Sequence, residues 1–469
     1  MEIEITNSAV RLSEKELEVI ILEIKNISDQ VIPVESVEFE TKPPGLLYEH
    51  RKIIQIRRDL SPRETYKIES VQIPIVRTEE EIQGVEVRIK YRIKNQVKIY
   101  QEEITPRTLH TLTVSLRKTG EKKYAAMLRF QPTPYILPLA EISSDIKVAQ
   151  EIYDFIKRKQ EIEAQWGIER LEVDHIKGLG QILYKNLGRI TEIIKGHRPR
   201  YIIFELDKDT YEIPIEFLHD GEEFLALRHA IGRVIISEEQ GELILNTLKR
   251  HKKPRIRNIC AIISYVEFDE GGRKSLKEEA KHIMWLGKKG YNTTLIEVDE
   301  YKVIINREEE ILAQKDRKRE IITRINAAQP DILYISAHGE WVGNEQTIKI
   351  SRNPENNITT KDIEKLVLEK APIVFANICY GGKILYQGKE AYGLATAFHK
   401  AGAAAYIGPI LKVETKKATE FMKNFLDPEI IEQEKTIGEW LRRTRQKTRD
   451  EKDPTWILYT LYADPTLKT

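Results

Sequence analysis

The chain has 469 residues, 41% of them apolar and 32% charged, which is enough for two or three cored domains and too apolar for a disordered polymer. Lys and Arg number 75 against 74 Asp and Glu, so the net charge of +1 offers no bulk attraction for nucleic acid. Two cysteines, Cys260 and Cys379, exclude a disulfide framework and fit a reducing cytosol. The start, Met-Glu-Ile-Glu-Ile, lacks a signal-peptide pattern, and no apolar run nears the roughly 18 residues that span a bilayer, so a cytoplasmic protein without a membrane segment is expected.

Residues 1–108 read as β. Val19 to Asn26, Val34 to Phe39, Thr65 to Ile68 and Val85 to Ile93 alternate apolar with polar, and Pro43-Pro44-Gly45 breaks the chain. Short alternating strands with regular turns predict a sandwich of immunoglobulin type, without the Cys–Trp–Cys spacing of an antibody domain. No catalytic cluster falls in it, and docking of a regulatory protein partner is its expected role.

Residues 109–250 form a second unit. Thr111 to Leu116 and Tyr124 to Phe130 flank a hairpin turn, helical periodicity runs through 146–166 and 176–194, and Tyr201 to Leu206 is a buried strand. This unit shows no nucleophile paired with a base; His219 and His229 read as loop or core histidines. His251-Lys252-Lys253-Pro254-Arg255 is a basic linker.

From 251 to 469 strands and helices alternate, which predicts a mostly parallel sheet with helices on both faces. Ile259 to Ser264 is a strand containing Cys260 as inert core, followed by a polar loop at 267–274 and a helix from Leu276 ending at Gly290. Two apolar runs then stand out. Asp331 to Ser336 leads into Ala337-His338-Gly339, and Ala371 to Ala376 leads into Asn377-Ile378-Cys379-Tyr380-Gly381-Gly382. Between them, Thr359 to Asp362 followed by Ile363, Leu366 and Leu368 reads as a capped crossover helix, which makes the two strands parallel neighbours. His338 and Cys379 therefore fall at the carboxyl edge of an α/β sheet, where ligands bind.

An imidazole beside a thiol raises the fraction of reactive thiolate. The N–H groups of Gly339 and Cys379 are candidates for an oxyanion hole, typically about 3 kcal/mol per donor. No metal and no cofactor are needed for this chemistry. Three glycines and two lysines in 381–389 suggest a hinged loop beside the substrate groove. Asp269, Glu270 and Glu414 follow strands at the same edge and are candidate acids for a specificity pocket that receives a basic side chain; Arg273 favours the opposite, acidic preference.

These residues resemble a family. From about 110 to 469 the chain is similar to the CHAT domain, a caspase-like cysteine peptidase of the separase, gingipain and caspase superfamily. The likeness rests on Glu212 to Asp220 around Ile213-Pro214-Ile215-Glu216, on Ser336-Ala337-His338-Gly339, on Asn377 to Gly382, and on Gly393-Leu394-Ala395, Ala401-Gly402-Ala403 and Ala463-Asp464-Pro465-Thr466-Leu467. Asn377-Ile378 departs from the pair usual before the nucleophile, and Ala463 from the usual Gly. The resemblance implies a catalytic half at 251–469, an inactive caspase-like half before it, and a His338–Cys379 endopeptidase acting on protein in a triggered prokaryotic defence or cell-death pathway. The alternative is a catalytically silent scaffold of the same fold whose β domain binds a partner.

Overall fold

The structure, a computed structural model, describes residues 2–469 apart from 13–15, 43–50, 75–83, 95, 105–110, 121–122, 132–134, 143–172, 198, 237–255, 307, 311–313, 343–344, 389, 435 and 451. The Pro43-Pro44-Gly45 break, the helical periodicity at 146–166 and the basic linker at 251–255 lie outside the described residues. The chain divides into two units: Met1–Leu112 with Phe130–Tyr135 and Gly196–Arg200, and the remainder.

The first unit is built on period-two alternation. Ile3–Leu12, Glu16–Asn26 and Thr65–Pro74 pair antiparallel in one sheet; Lys52–Leu60, Ile32–Lys42, Gly84–Ile93 and Gln96–Ile104 pair antiparallel in another. Leu22, Ile24, Val37, Phe39, Val87 and Ile89 from the two sheets share one core. The four strands expected from the sequence fall inside observed ones. Lys52–Leu60 and Gln96–Ile104 had no sequence assignment because their alternation is diluted by charged residues on edge strands, where both faces meet water more often.

The second unit holds one long, mostly parallel sheet flanked by helices. Its centre runs, in spatial order, Tyr201–Leu206, Ala230–Ile235, Tyr459–Tyr462, Ala405–Pro409, Ile373–Asn377, Ile332–Ser336, Asn258–Ser264 and Asn292–Val298. Neighbours along it are parallel except where the closing strand Tyr459–Tyr462 lies antiparallel to Ala405–Pro409. Ile332–Ser336 and Ile373–Asn377 are buried throughout, as continuous β-branched and apolar runs covered on both faces must be. Near the Tyr459–Tyr462 strand the sheet buries a charged pair. There Arg233 pairs with buried Glu216 through Nε (2.8 Å) and Nη2, and the Thr460 hydroxyl donates to the same carboxylate.

Three expectations change. The residues read as a polar loop after Ser264 are largely helix: Glu270–Lys288 begins six residues before Leu276, because the Asp269 side chain caps it by accepting the Gly272 N–H (2.7 Å). The crossover between the two key strands keeps its cap, with Thr359 and Asp362 in a reciprocal capping box, but the α-helix is the single turn Thr360–Ile363, preceded by a 3-10 turn at Pro354–Asn356. Ahead of that helix the connection forms a small three-stranded antiparallel sheet of Gly339–Val342, Glu345–Ile348 and Ile358–Thr359. Finally, Gly381-Gly382 pack tightly in place of a hinge. A side chain on Gly382 would strike the Gly408 carbonyl and Thr460, and the Tyr406 and Tyr462 hydroxyls donate to the Gly381 and Gly382 carbonyls (2.8 and 2.6 Å). The chain beyond forms a hairpin, Leu385–Gln387 with Glu390–Tyr392.

Candidate active site

Register sets the two strand ends level with each other. Ile332–Ser336 and Ile373–Asn377 are parallel neighbours, and Ser336 lies opposite Asn377. His338 and Cys379 each follow two residues later, so both leave the sheet at one edge and at one level. Gly339 then passes directly over the nucleophile turn. A Cβ on it would collide with Ile378 Cγ2 and sit 3.2 Å from the Cys379 carbonyl oxygen, so glycine alone permits this approach. The Lys349 N–H donates to the His338 carbonyl (2.9 Å), which makes Gly339 and Ile348 a non-hydrogen-bonded pair. In such a pair the Gly339 N–H points away from its partner strand.

The turn at Cys379 is held from several sides. Tyr380 adopts φ +59°, an unusual left-handed conformation for a non-glycine residue. Its N–H donates to Leu411 O (3.3 Å), its carbonyl accepts from Gln346 Nε2 (2.8 Å), and Gly381 N–H returns to Ile378 O (2.8 Å). Gln346 is fully buried and also accepts from the Leu394 N–H (3.1 Å), so the hairpin after His338 braces the turn that carries Cys379.

The imidazole of His338 is oriented by its neighbours. It stacks on Phe268, with ring centroids 3.7 Å apart and planes 12° apart, and hydrogen-bonds the Glu267 backbone. Beside it Lys349 is clasped by Glu267 (2.7 Å) and Glu340 (3.0 Å). Burial and the Lys349 ammonium lower the His338 pKa, with Glu267 opposing. The Cys379 thiol is half-buried, and its Sγ lies 3.9 Å from the Val413 carbonyl. Burial pushes it up, against smaller opposing effects from the Val413 backbone and Lys412. Both shifts disfavour a resting thiolate–imidazolium pair. Neither side chain's observed hydrogen bond is to the other.

The expected specificity acids separate. Asp269 and Glu414 line one cleft of about 700 Å³ with Lys274, Thr415, Lys416 and Thr419, where the helices Glu270–Lys288 and Thr415–Phe425 begin. Glu414 directly follows Val413, whose carbonyl faces the thiol. Glu270 is exposed in the first turn of its helix and is not among the residues lining that cleft. Arg273 is taken up by Asp299 (3.1 and 3.3 Å), which weakens the acidic-preference reading. Cys260 is fully buried in mid-strand, with its thiol pushed up to about 12 by burial. His219 and His229 are buried, and His219 Nδ1 accepts the Gly221 N–H (3.0 Å). Among the described residues no cluster of His, Cys, Asp and Glu has a metal-holding arrangement, and no helix is long and apolar enough to cross a membrane.

Sequence reasoning missed Glu267, Phe268, Gln346 and Val413. Phe268 was the one bulky ring in a stretch read as polar loop, and the alternation Gln346-Thr347-Ile348 was the only sign of the bracing hairpin.

A mostly parallel sheet flanked by helices, with His-Gly and Cys leaving adjacent strands at one edge, defines a caspase-like α/β protein. The CHAT domain model matches residues 176–465, well over half of the chain, and the chain belongs to the CHAT-domain family of caspase-like cysteine peptidases. No curated protein matches. Among solved structures, the Saccharomyces cerevisiae separase–securin complex is similar over 77% of this chain and 31% of that one, at 10% identity and TM-score 0.49. This chain thus spans about a third of that relative's length. A structure described only as a protease aligns over 63% and 69% of the two chains at 11% identity and TM-score 0.39. A secreted C11 cysteine protease from Bacteroides thetaiotaomicron, solved with an irreversible peptide inhibitor, aligns over 36% and 54% at 12% identity and TM-score 0.24.

Proposed function

We propose that the chain is a cysteine endopeptidase acting through His338 and Cys379. The observation that carries this is the register of Ser336 opposite Asn377, which sets both groups at one sheet edge with Gly339 against the Cys379 peptide. The Cys379 sulfur attacks the scissile carbonyl as His338 takes the thiol proton. The Gly339 and Cys379 N–H groups receive the developing oxyanion, and collapse expels the amine with the proton from His338. Water activated by His338 then releases the acid and restores the thiol. Because burial disfavours the charged form of each group, His338 acts as a general base during attack. Asp269 and Glu414 give the neighbouring cleft two carboxylates suited to a basic side chain before the cut bond.

The β-rich unit at 1–108 serves as the docking site for a regulatory protein. Its edge strand Gln96–Ile104 exposes Val97 and Ile99, a surface on which another chain can pair. The unit at 109–250 acts as the inactive half, and the whole as a triggered cytoplasmic protease in defence or cell death. Profiling the purified protein on a peptide library tests the reading: the parent and Cys260→Ala should cleave, while Cys379→Ala and His338→Ala should not. Equal activity of all four would sink it. The silent-scaffold alternative draws on one observation, the Cys379 sulfur facing Val413 O in place of His338, and it gains if the parent cleaves nothing.

A further inference from the structure

Glu279 lies in the middle of the helix Glu270–Lys288 and is wholly buried. Its observed hydrogen-bond partners are all uncharged. Tyr334 OH donates to Oε2 (2.8 Å), Asn377 Nδ2 donates to Oε1 (3.3 Å), Thr419 Oγ1 lies 2.8 Å from Oε1, and Ser336 adds a further hydrogen bond. Asn377 is itself gripped at both ends. Its Nδ2 donates to the Tyr334 hydroxyl (3.2 Å) and its Oδ1 accepts from Tyr459 OH (2.7 Å). A carboxyl buried without a cation is costly, and an apolar side chain of similar size fills such a site more cheaply. Stability alone therefore gives no reason for this residue.

The placement of the partners gives one. Ser336 ends the strand that leads to His338, and Asn377 ends the strand that leads to Cys379. Thr419 is in the helix Thr415–Phe425, which starts immediately after the 412–414 stretch whose Val413 carbonyl faces the thiol. One carboxyl thus joins the three segments that build the site. It also gives a role to Asn377, the first residue of the pair Asn377-Ile378 that departs from the one usual before the nucleophile. We infer that Glu279 is a positioning residue, a buried hub that sets the His338 strand, the Cys379 strand and the Val413 segment at fixed spacing. Its effect on turnover rests on the peptidase reading above; its effect on the Cys379 thiol does not.

The hydrogen-bond geometry of the hub accommodates a neutral acid. Burial raises the Glu279 pKa above the ordinary carboxylate value. The Thr419 hydroxyl is also 2.9 Å from the Thr415 carbonyl, so it donates there while accepting the Glu279 proton, and every group is satisfied. An amide can repeat the two shorter of these contacts, donating to Thr419 and accepting from Tyr334, and gives up only the 3.3 Å contact with Asn377; a leucine makes none of them.

The test uses the full chain in a Cys260→Ala background, so that only Cys379 reacts. Parent, Glu279→Leu and Glu279→Gln are compared for kcat and KM on a reporter peptide, and for the rate of iodoacetamide alkylation across pH. With the dyad displaced by a fraction of an ångström, Glu279→Leu should lose about tenfold or more in kcat with KM within about twofold, and its alkylation profile should shift. Glu279→Gln should recover most of both. A folded Glu279→Leu variant with the parent's kcat and alkylation profile overturns the inference, and so does a Gln variant as impaired as Leu. If Glu279→Leu does not fold, Thr419→Val removes one arm of the hub, and an unshifted alkylation profile there overturns it equally. A parent that alkylates but cleaves nothing refutes the peptidase reading, and the alkylation arms still decide the role of Glu279.

Discussion

Replacing Gly339 by Ala tests the proposed oxyanion hole through a single added carbon. The new Cβ would run into Ile378 Cγ2 and stand 3.2 Å from the Cys379 carbonyl oxygen. Ile378 is fully buried, so the expected response that relieves the clash is outward movement of the Gly339–Val342 strand. Its N–H then leaves the position at which it would meet an oxyanion, where a few tenths of an ångström separate a strong hydrogen bond from a weak one. Loss of one such donor is typically worth about 3 kcal/mol, or roughly 10²-fold in kcat. The same overpacking should lower stability by about 1–3 kcal/mol. Thermal unfolding separates the two effects: assays well below the variant's melting point should still show kcat down about 10²-fold with KM little changed. A folded Gly339→Ala enzyme within threefold of the parent kcat would refute the assignment of this N–H.

Other outcomes follow from the same geometry. Burial raises the Cys379 thiol and lowers the His338 imidazole, so Cys379 alkylation should climb only at a pH above that of a free cysteine, about 8.5, with no thiolate plateau near neutrality. The acid limb of kcat/KM should lie below the ordinary histidine value of about 6.5; a neutral-pH thiolate plateau would contradict both shifts. Glu414→Gln and Asp269→Asn, the latter retaining a helix cap, should each lower cleavage after Arg by about tenfold relative to cleavage after Leu, while Glu270→Gln should not. Equal rates on both reporters would remove the acidic pocket. Glu216→Ala strands the buried Arg233 guanidinium and should cost about 3–5 kcal/mol in denaturant unfolding; a loss under 1 kcal/mol would show that the buried pair does not stabilise the fold.

The sheet and the two strand ends that carry His338 and Cys379 were legible because buried parallel strands leave a clear signature. Ile332–Ser336 and Ile373–Asn377 are unbroken apolar runs, each ended by a reactive residue near glycine, and the Thr359–Asp362 capping box marked the crossover. What lay between was harder to read. The Gly339–Ile348 hairpin has only four residues a strand, and its inward residues, Gln346 among them, are buried for hydrogen bonding rather than for apolar contact. Asp269 was read by its charge, whereas its backbone role as a cap decides where the helix begins. Gly381-Gly382 were read as freedom, but their small size serves close packing against Gly408. Glu279 was invisible for a different reason: a glutamate in an amphipathic helix normally faces water, and only the fold shows that this one faces the sheet.

The most direct test of the central claim is to treat the native protein with a peptidyl acyloxymethyl ketone and locate the adduct by mass spectrometry. A single adduct on Cys379, absent from His338→Ala and lost after competition with a cleavable peptide, is the predicted result. Labelling of Cys379 that persists unchanged without His338, or no labelling of Cys379 while iodoacetamide still reaches it, would contradict a working His338–Cys379 peptidase site.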